Sequence, residues 1–424
     1  MTYRSLDAAA LPSWLAAVPA ARDRLGGAPA DWSVAEVSDG NMNRVFLCHG
    51  PSGAVAVKQA LPFIRAVPAW AFPLERMDAE LRATRAFAAA APGAVPEVLH
   101  ADEASKVMVM EALVAHRPWR HALVAGEVHP EVPSALGAAL AGLHHAHGPA
   151  ALGAEAFREA AVRFGANAHL VATTAEVVFT GPLGPHPLNR WTSPQLDALV
   201  ARLRADPALT TALARLKRRF LTTAETLVHG DLHTGSVMVA REPARADLAP
   251  KLIDAEWAFY GPAAFDVGVL LGHLRLAACA RAGGADEAAD PGGVAAFCAA
   301  APAALWRAYR DTRLALRGDP ADDPLLPHRV VADPEARRRW RLEELDELLV
   351  LAVGFAGAEM IRRLIGISHV EDFETIADAD RRAEREAAAL RSAHRLVTRP
   401  RTVVADAALV PAAFAPGSTA TEDA

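Results

Sequence analysis

Three carboxylates stand at the ends of apolar runs in two short segments, "VHGDLHTGSVMV" (228–239) and "KLIDAEWAFYGPAAFDVG" (251–268). In the first, Leu227 and Val228 precede a polar loop and Val237–Val239 follow it, a strand–loop–strand pattern that holds Asp231 at the lip of a core. A carboxylate there suits phosphoryl transfer, which needs a group to orient an attacking hydroxyl and take its proton. An aspartate capping a turn is the plain alternative. In the second segment "KLID" ends an apolar strand, and residues two apart in extended chain share a side. Asp254 and Glu256 are therefore expected to converge on one cation. Mg2+ takes such hard oxygen ligands together with substrate phosphates. Three acids at adjacent loop mouths repel unless something cationic lies between them, which favours a metal.

Basic residues that could meet phosphates lie elsewhere in the chain. Lys58, in "VAVKQAL", supplies a point charge for α- and β-phosphates if it faces a cleft, although an alternating strand normally turns lysine outward. Glu80, on the next helix, is its expected partner. The turn "SDGNMNRVF" can lay backbone N–H groups over a triphosphate, with Gly40 permitting close approach. "EMIRRLIGISHV" (359–370) closes an apolar helical pattern with Arg362 and Arg363. Neighbouring helical residues point about 100° apart, so the two arginines are not expected to face one spot. One would meet the transferring phosphate or the substrate while the other pairs with an acid.

The elements that position these residues follow from periodicity. "WSVAEV", "NRVFLCHG" and "AVAVKQAL" read as a meander of three antiparallel strands, residues 74–91 as a helix and 106–113 as another strand. Beyond residue 120 most of the chain reads helical. The expected organisation is a helical lead-in (1–30), a β-rich lobe ending in a hinge (31–113), a larger helical lobe (114–400) and a disordered tail (401–424). Surface loops are expected near 281–293 and 317–336. A length of 424 residues allows two lobes, and 52% hydrophobic against 22% charged residues marks a globular chain. A net charge of -6 argues against nucleic-acid or anionic-membrane binding. The cysteines Cys48, Cys279 and Cys298 form no CxxC pair, as expected of a reducing cytoplasm. The most apolar run, Val267–Ala280, is broken by His273 and Arg275 and falls short of a span of roughly 20 apolar residues.

Taken together, "DGNMNRVF", "VKQALPFIR", "VMEAL", "VVFTGP…NRW", "VHGDLHTGS", "IDAEWAFYGPAAFDVG" and "MIRRLIGISHV" resemble, in order and spacing, the 5-methylthioribose kinase branch of the aminoglycoside phosphotransferase and protein-kinase-like superfamily. The resemblance runs from about residue 30 to 375. It implies an α+β, protein kinase-like two-lobe fold and ATP- and Mg2+-dependent phosphorylation of the 1-hydroxyl of S-methyl-5-thioribose in methionine salvage. Asp231 would be the catalytic base, and Asp254 and Glu256 a DxE motif binding the metal–nucleotide. Asn41 and Lys58 would contact nucleotide, Glu111, Ala112 and Leu113 would form the hinge beside adenine, and Arg362 and Arg363 would serve the substrate. Asp266 would brace the catalytic loop, and a homodimer would be the working unit. Ser236 stands where the superfamily usually has an asparagine metal ligand. Rival expectations are a kinase for 5-deoxyribose or a catalytically silent nucleotide-binding regulator.

Overall fold

The computed structural model describes residues 3–37, 42–65, 67–245, 247–281, 290, 293–316, 325–326, 330 and 332–405. The first sheet begins with the expected meander: β1 (Ser33–Val37), β2 (Asn43–Gly50) and β3 (Gly53–Ala60). A small hairpin of β4 (Phe63–Ile64) and β5 (Val67–Ala71) follows, then the helix Arg76–Ala90. β6 (Val98–Asp102) and β7 (Val107–Glu111) complete a five-stranded antiparallel sheet in the order β1-β2-β3-β7-β6. Its two faces have different covers. The helices Leu11–Ala16 and Pro19–Leu25 lie over Phe46, Val55, Val57, Val107 and Val109. The helix Arg76–Ala90 packs its Met77 and Leu81 against Ala56, Ala60, Met108 and Met110. Period two along β3 therefore turns Lys58 toward that helix, because the opposite face is filled by the lead-in.

The chain then enters the second lobe, where β8 (His116–Pro118) pairs with a strand far along the sequence. β9 (Thr226–Val228), β10 (Val237–Ala240), β11 (Lys251–Leu252) and β12 (Phe259–Gly261) make two small sheets, β11-β10-β8 and β12-β9. Helices supply the rest. The helix Ala263–Arg281 is buried along its whole length but for Arg281, among the helices Val294–Ala315, Pro334–Ile365 and Ala379–Thr398. It is longer than the apolar run read from the sequence, and its 19 residues are apolar enough to cross a membrane. Its full burial by neighbouring helices identifies it as a core helix.

Glycine permits the closest part of that packing. A Cβ on Gly268 would stand 2.5 Å from the Ala352 carbonyl oxygen, and one on Gly272 would stand 2.9 Å from that of Ala356. The helix Pro334–Ile365 can thus lie against Ala263–Arg281 nearly backbone to backbone, which sets where Glu359, Arg362 and Arg363 point. Gly40, Asn41 and the stretch 406–424 lie outside the described residues, as does most of the two expected surface loops. The helix Pro400–Ala405, with Val403 buried, occupies the first part of the expected tail.

Candidate active site

The loop between β9 and β10 is fastened from several sides. Asp266, in the first turn of the helix Ala263–Arg281, accepts the N–H of His229 at 2.7 Å and of Gly230 at 3.0 Å. Burial works against its charge, but the bond from His144 and the loop N–H groups outweigh it and hold Asp266 below the usual aspartate range. Gly230 has φ 85°, and a Cβ there would meet the Trp257 carbonyl oxygen at 2.2 Å, so this position needs glycine twice over. His229 Nε2 donates to the Ile253 carbonyl at 2.8 Å and ties the loop to the segment carrying Asp254. Ser236 is buried and its Oγ donates to the Asp231 main-chain carbonyl at 3.1 Å. That hydroxyl stabilises the loop.

Asp231 sits at an opening with its side chain 21% exposed. Arg363 Nη2 and Arg362 Nη1 both approach its Oδ1, at 3.4 and 3.6 Å. The expectation that the two arginines diverge is therefore corrected. Their side chains are long enough to curl back from positions about 100° apart onto one carboxylate. They are aimed by Glu359, which is fully buried one turn earlier on the same helix. Its carboxylate takes Arg363 Nε at 2.6 Å, Arg362 Nη1 at 3.2 Å and His273 Nε2 at 3.2 Å. Burial opposes the charge on Glu359, yet the two guanidinium groups outweigh it and push its carboxyl well below the ordinary range. His273 Nδ1 faces Arg120 Nη2 at 3.2 Å. Burial and the neighbouring arginines push that imidazole down to about 3, so it is neutral and accepts from Arg120.

Asp254 and Glu256 do not share a side of an extended strand. β11 ends at Leu252, Asp254 takes the left-handed conformation (φ 65°), and Ala255–Trp257 form a 3-10 turn. The turn sends the two carboxylates to different cations. Lys58 Nζ, 3% exposed, donates to Asp254 Oδ1 at 2.5 Å and to Glu80 Oε1 at 2.6 Å. Burial works against the ammonium, but Asp254 and Glu80 outweigh it and hold Lys58 above its ordinary range. The Glu80 carboxyl is pushed up by its burial, and the half-exposed Asp254 is held down by the ammonium of Lys58. Glu256 Oε2 accepts from Asn43 Nδ2 at 2.8 Å and faces Arg76 Nε at 3.2 Å. Each of the three acids thus has a cation from the chain itself. Their mutual repulsion does not demand a metal, and among the described residues no group of three or more His, Cys, Asp or Glu side chains gathers as a metal site.

Glu111, expected at the hinge, ends β7 and pairs with Lys251 of β11 at 2.8 Å; Ala112 and Leu113 follow it in the chain. Lys58 thus reaches Asp254 across the lobes, as Asn43 and Arg76 reach Glu256, and the loop of Asp231 is tied to the same segment through His229 and Ile253, whereas Gly40 and Asn41 lie outside the described residues. The sequence patterns pass over Arg76, Asn43, Arg120, His233, His273 and Glu359. Two of these had a readable signal. Arg76 lies one turn before Glu80 on the same helix face, and Glu359 lies three and four residues before the arginines it aims.

Comparisons with known proteins show what the chain is similar to. The model of the phosphotransferase enzyme family matches residues 33–311. The chain is 34% identical over 396 residues to methylthioribose kinase 1 of Oryza sativa subsp. japonica, covering 92% of this chain and 90% of that one. It is 36% identical over 353 residues to methylthioribose kinase of Yersinia pseudotuberculosis, covering 82% of each. Among solved structures, a glucosamine kinase aligns over 85% of this chain and 82% of its own at 18% identity and TM-score 0.42. An ethanolamine kinase of Plasmodium vivax covers the same shares at 11% identity and TM-score 0.43.

Proposed function

The chain belongs to the phosphotransferase enzyme family and, within it, to the methylthioribose kinases, and on that premise we propose that it phosphorylates the 1-hydroxyl of S-methyl-5-thioribose with ATP. The observation that carries the reading is the placement of Asp231. A braced loop holds it at an opening, opposite two arginines, and His229 ties that loop to the segment where Asp254 meets Lys58.

In the proposed reaction the sugar hydroxyl lies against Asp231 and gives it a proton as its oxygen bonds to the γ-phosphorus. The bond from that phosphorus to the bridging oxygen breaks, and ADP leaves with the electron pair. Arg362 and Arg363 offset charge on the moving group. Their contacts to Asp231, at 3.4–3.6 Å, are loose for charge-assisted bonds, so the guanidinium groups can turn to phosphate without losing much. Lys58 neutralises the α- and β-phosphates. Glu111, Ala112 and Leu113 flank the adenine, and the family resemblance adds Gly40 and Asn41 as nucleotide contacts.

Asp254 and Glu256 are the residues that would hold Mg2+, which neutralises phosphate charge when bound. The donor set fits a hard cation, being carboxylate oxygen alone. Asp254 fits best, with its side chain 48% exposed and only Oδ1 taken by Lys58. Glu256 has Oε2 committed to Asn43 and Arg76, so only its other oxygen would be left for the ion. We read the working form as a cytoplasmic homodimer without nucleic-acid or membrane partners, in keeping with a net charge of -6 and three buried free thiols.

Asp231→Asn keeps the shape of the side chain and removes its basicity. Turnover of ATP with S-methyl-5-thioribose is expected to fall about a thousandfold, with nucleotide affinity unchanged. A near-normal rate would take the base role away from Asp231.

A further inference from the structure

His233 lies two residues beyond Asp231, and its ring is fixed by the loop itself. Its Nδ1 accepts the main-chain N–H of Gly235 at 3.0 Å and of Ser236 at 3.1 Å. A nitrogen that receives two N–H groups must present its lone pair, so the proton of the neutral ring sits on Nε2. Gly235 makes room for this arrangement, since a Cβ there would stand 2.8 Å from His233 Cε1. Burial, and after it Arg120, Arg363, His273 and Arg362, hold the imidazole well below its ordinary value and so neutral. The ring of His273 lies beside it, with centroids 5.2 Å apart.

The remaining N–H is aimed at the opening. His233 Nε2 stands 3.6 Å from Asp231 Oδ2, too far for a hydrogen bond, and it has no other acceptor among the described residues. The two side chains are 17% and 21% exposed, so they share one mouth. The arginines approach Oδ1 and leave the Oδ2 side to His233. A fixed acceptor beside a fixed, unpaired donor is the pattern that reads two neighbouring hydroxyls on one sugar ring.

We infer that His233 is a substrate-contacting residue, its Nε2–H donating to the 2-hydroxyl oxygen while Asp231 takes the neighbouring 1-hydroxyl. The inference rests on the sugar kinase reading and adds to it the recognition of a vicinal pair of hydroxyls. It follows that the site discriminates against a ring lacking the second hydroxyl, because the bound sugar then covers the donor without offering it an acceptor.

The test pairs His233→Asn with the 2-deoxy analogue of S-methyl-5-thioribose. Asparagine can offer Oδ1 to the N–H groups of Gly235 and Ser236 and so keep the loop, but it carries no donor where Nε2 stood. The wild-type chain is expected to lose at least about tenfold in kcat/KM on the 2-deoxy sugar. His233→Asn should lose a similar factor on the parent sugar and show little further loss on the analogue, with an unchanged thermal midpoint. His233→Gln, which returns an N–H near that position, should recover part of the loss and serves where the asparagine variant does not fold. An analogue penalty as large in His233→Asn as in wild type overturns the inference, as does that variant at full activity on the parent sugar, a glutamine variant that recovers nothing over asparagine, or a wild-type chain that loses nothing on the 2-deoxy sugar. Calorimetric binding of the same two sugars reads the contact without turnover. A chain that binds the parent sugar yet transfers no phosphate overturns the activity and leaves this comparison standing, whereas a chain that does not bind it overturns both.

Discussion

Lys58 is held between Glu80 of its own lobe and Asp254 of the other, so one ammonium joins the first lobe to the segment carrying the acids. The pair with Glu80 is almost wholly buried, at 3% and 2% exposure. Removing the cation leaves a buried carboxylate without its partner, which costs about 3–5 kcal/mol. Lys58→Met is therefore expected to lower unfolding stability by about 3 kcal/mol, measured in urea, as well as to abolish turnover. Adding Glu80→Gln should restore much of the stability and none of the activity. Recovery of both would mean that Lys58 serves only to satisfy Glu80. The sequence suggested Lys58 and Glu80 as partners, but it left open whether the lysine turned inward. That depended on the helices of the lead-in, which fill the other face of the sheet.

The helix Pro334–Ile365 carries Glu359, Arg362 and Arg363, and its register against Ala263–Arg281 is set by two glycines. Alanine at 268 is a better helix former than glycine by about 1 kcal/mol. Its Cβ would nevertheless meet the Ala352 carbonyl oxygen at 2.5 Å and Phe355 Cβ at 2.8 Å. Overpacking of that kind costs about 1–3 kcal/mol, so Gly268→Ala should be net destabilising in a denaturant titration. Because the displaced helix bears both arginines, kcat should fall in the folded variant while nucleotide affinity holds. A stabilised, fully active variant would show that the close approach is not needed. Helical periodicity marked this element in the sequence. Its pairing could not be read there, since more than 50 residues separate the two helices and nothing local records which backbone lies against which.

Among the described residues, buried charges are held in pairs and clusters such as Lys58–Glu80, His144–Asp266 and Glu359 with His273, Arg362 and Arg363, and that makes the fold sensitive to acid. His273 is pushed down to about 3 from an ordinary value of 6.5, so the unfolded chain binds its proton several pH units before the folded chain does. The stabilisation from keeping it neutral is complete above about pH 6.5 and is lost as pH falls toward 3. Asp254, Asp266 and Glu359 are held below their ordinary values and add to the loss from about pH 4.5 downward. Unfolding free energy measured between pH 7 and 4 should therefore decline steadily, and His273→Gln, if folded, should flatten the upper part of the decline. A flat profile in the wild-type chain would show that the imidazole takes up its proton alike in the folded and unfolded chains.

Local chemistry made much of this protein legible from its sequence. Strand and helix periods gave the β-rich lobe and the helical one, and the motifs around Asp231, Asp254 and the arginine pair placed it among sugar kinases. What the chain order could not state was which charge answers which. Asp254 and Glu256 were expected to converge because extended backbone carries side chains two apart to one side, but a left-handed residue and a 3-10 turn intervene. Arg362 and Arg363 were expected to diverge because helix geometry fixes their Cβ directions, but a buried Glu359 bends both toward Asp231. Such pairings are set by tertiary packing, where a desolvated charge takes whichever opposite charge the fold brings within reach, and separation along the chain does not enter into that distance.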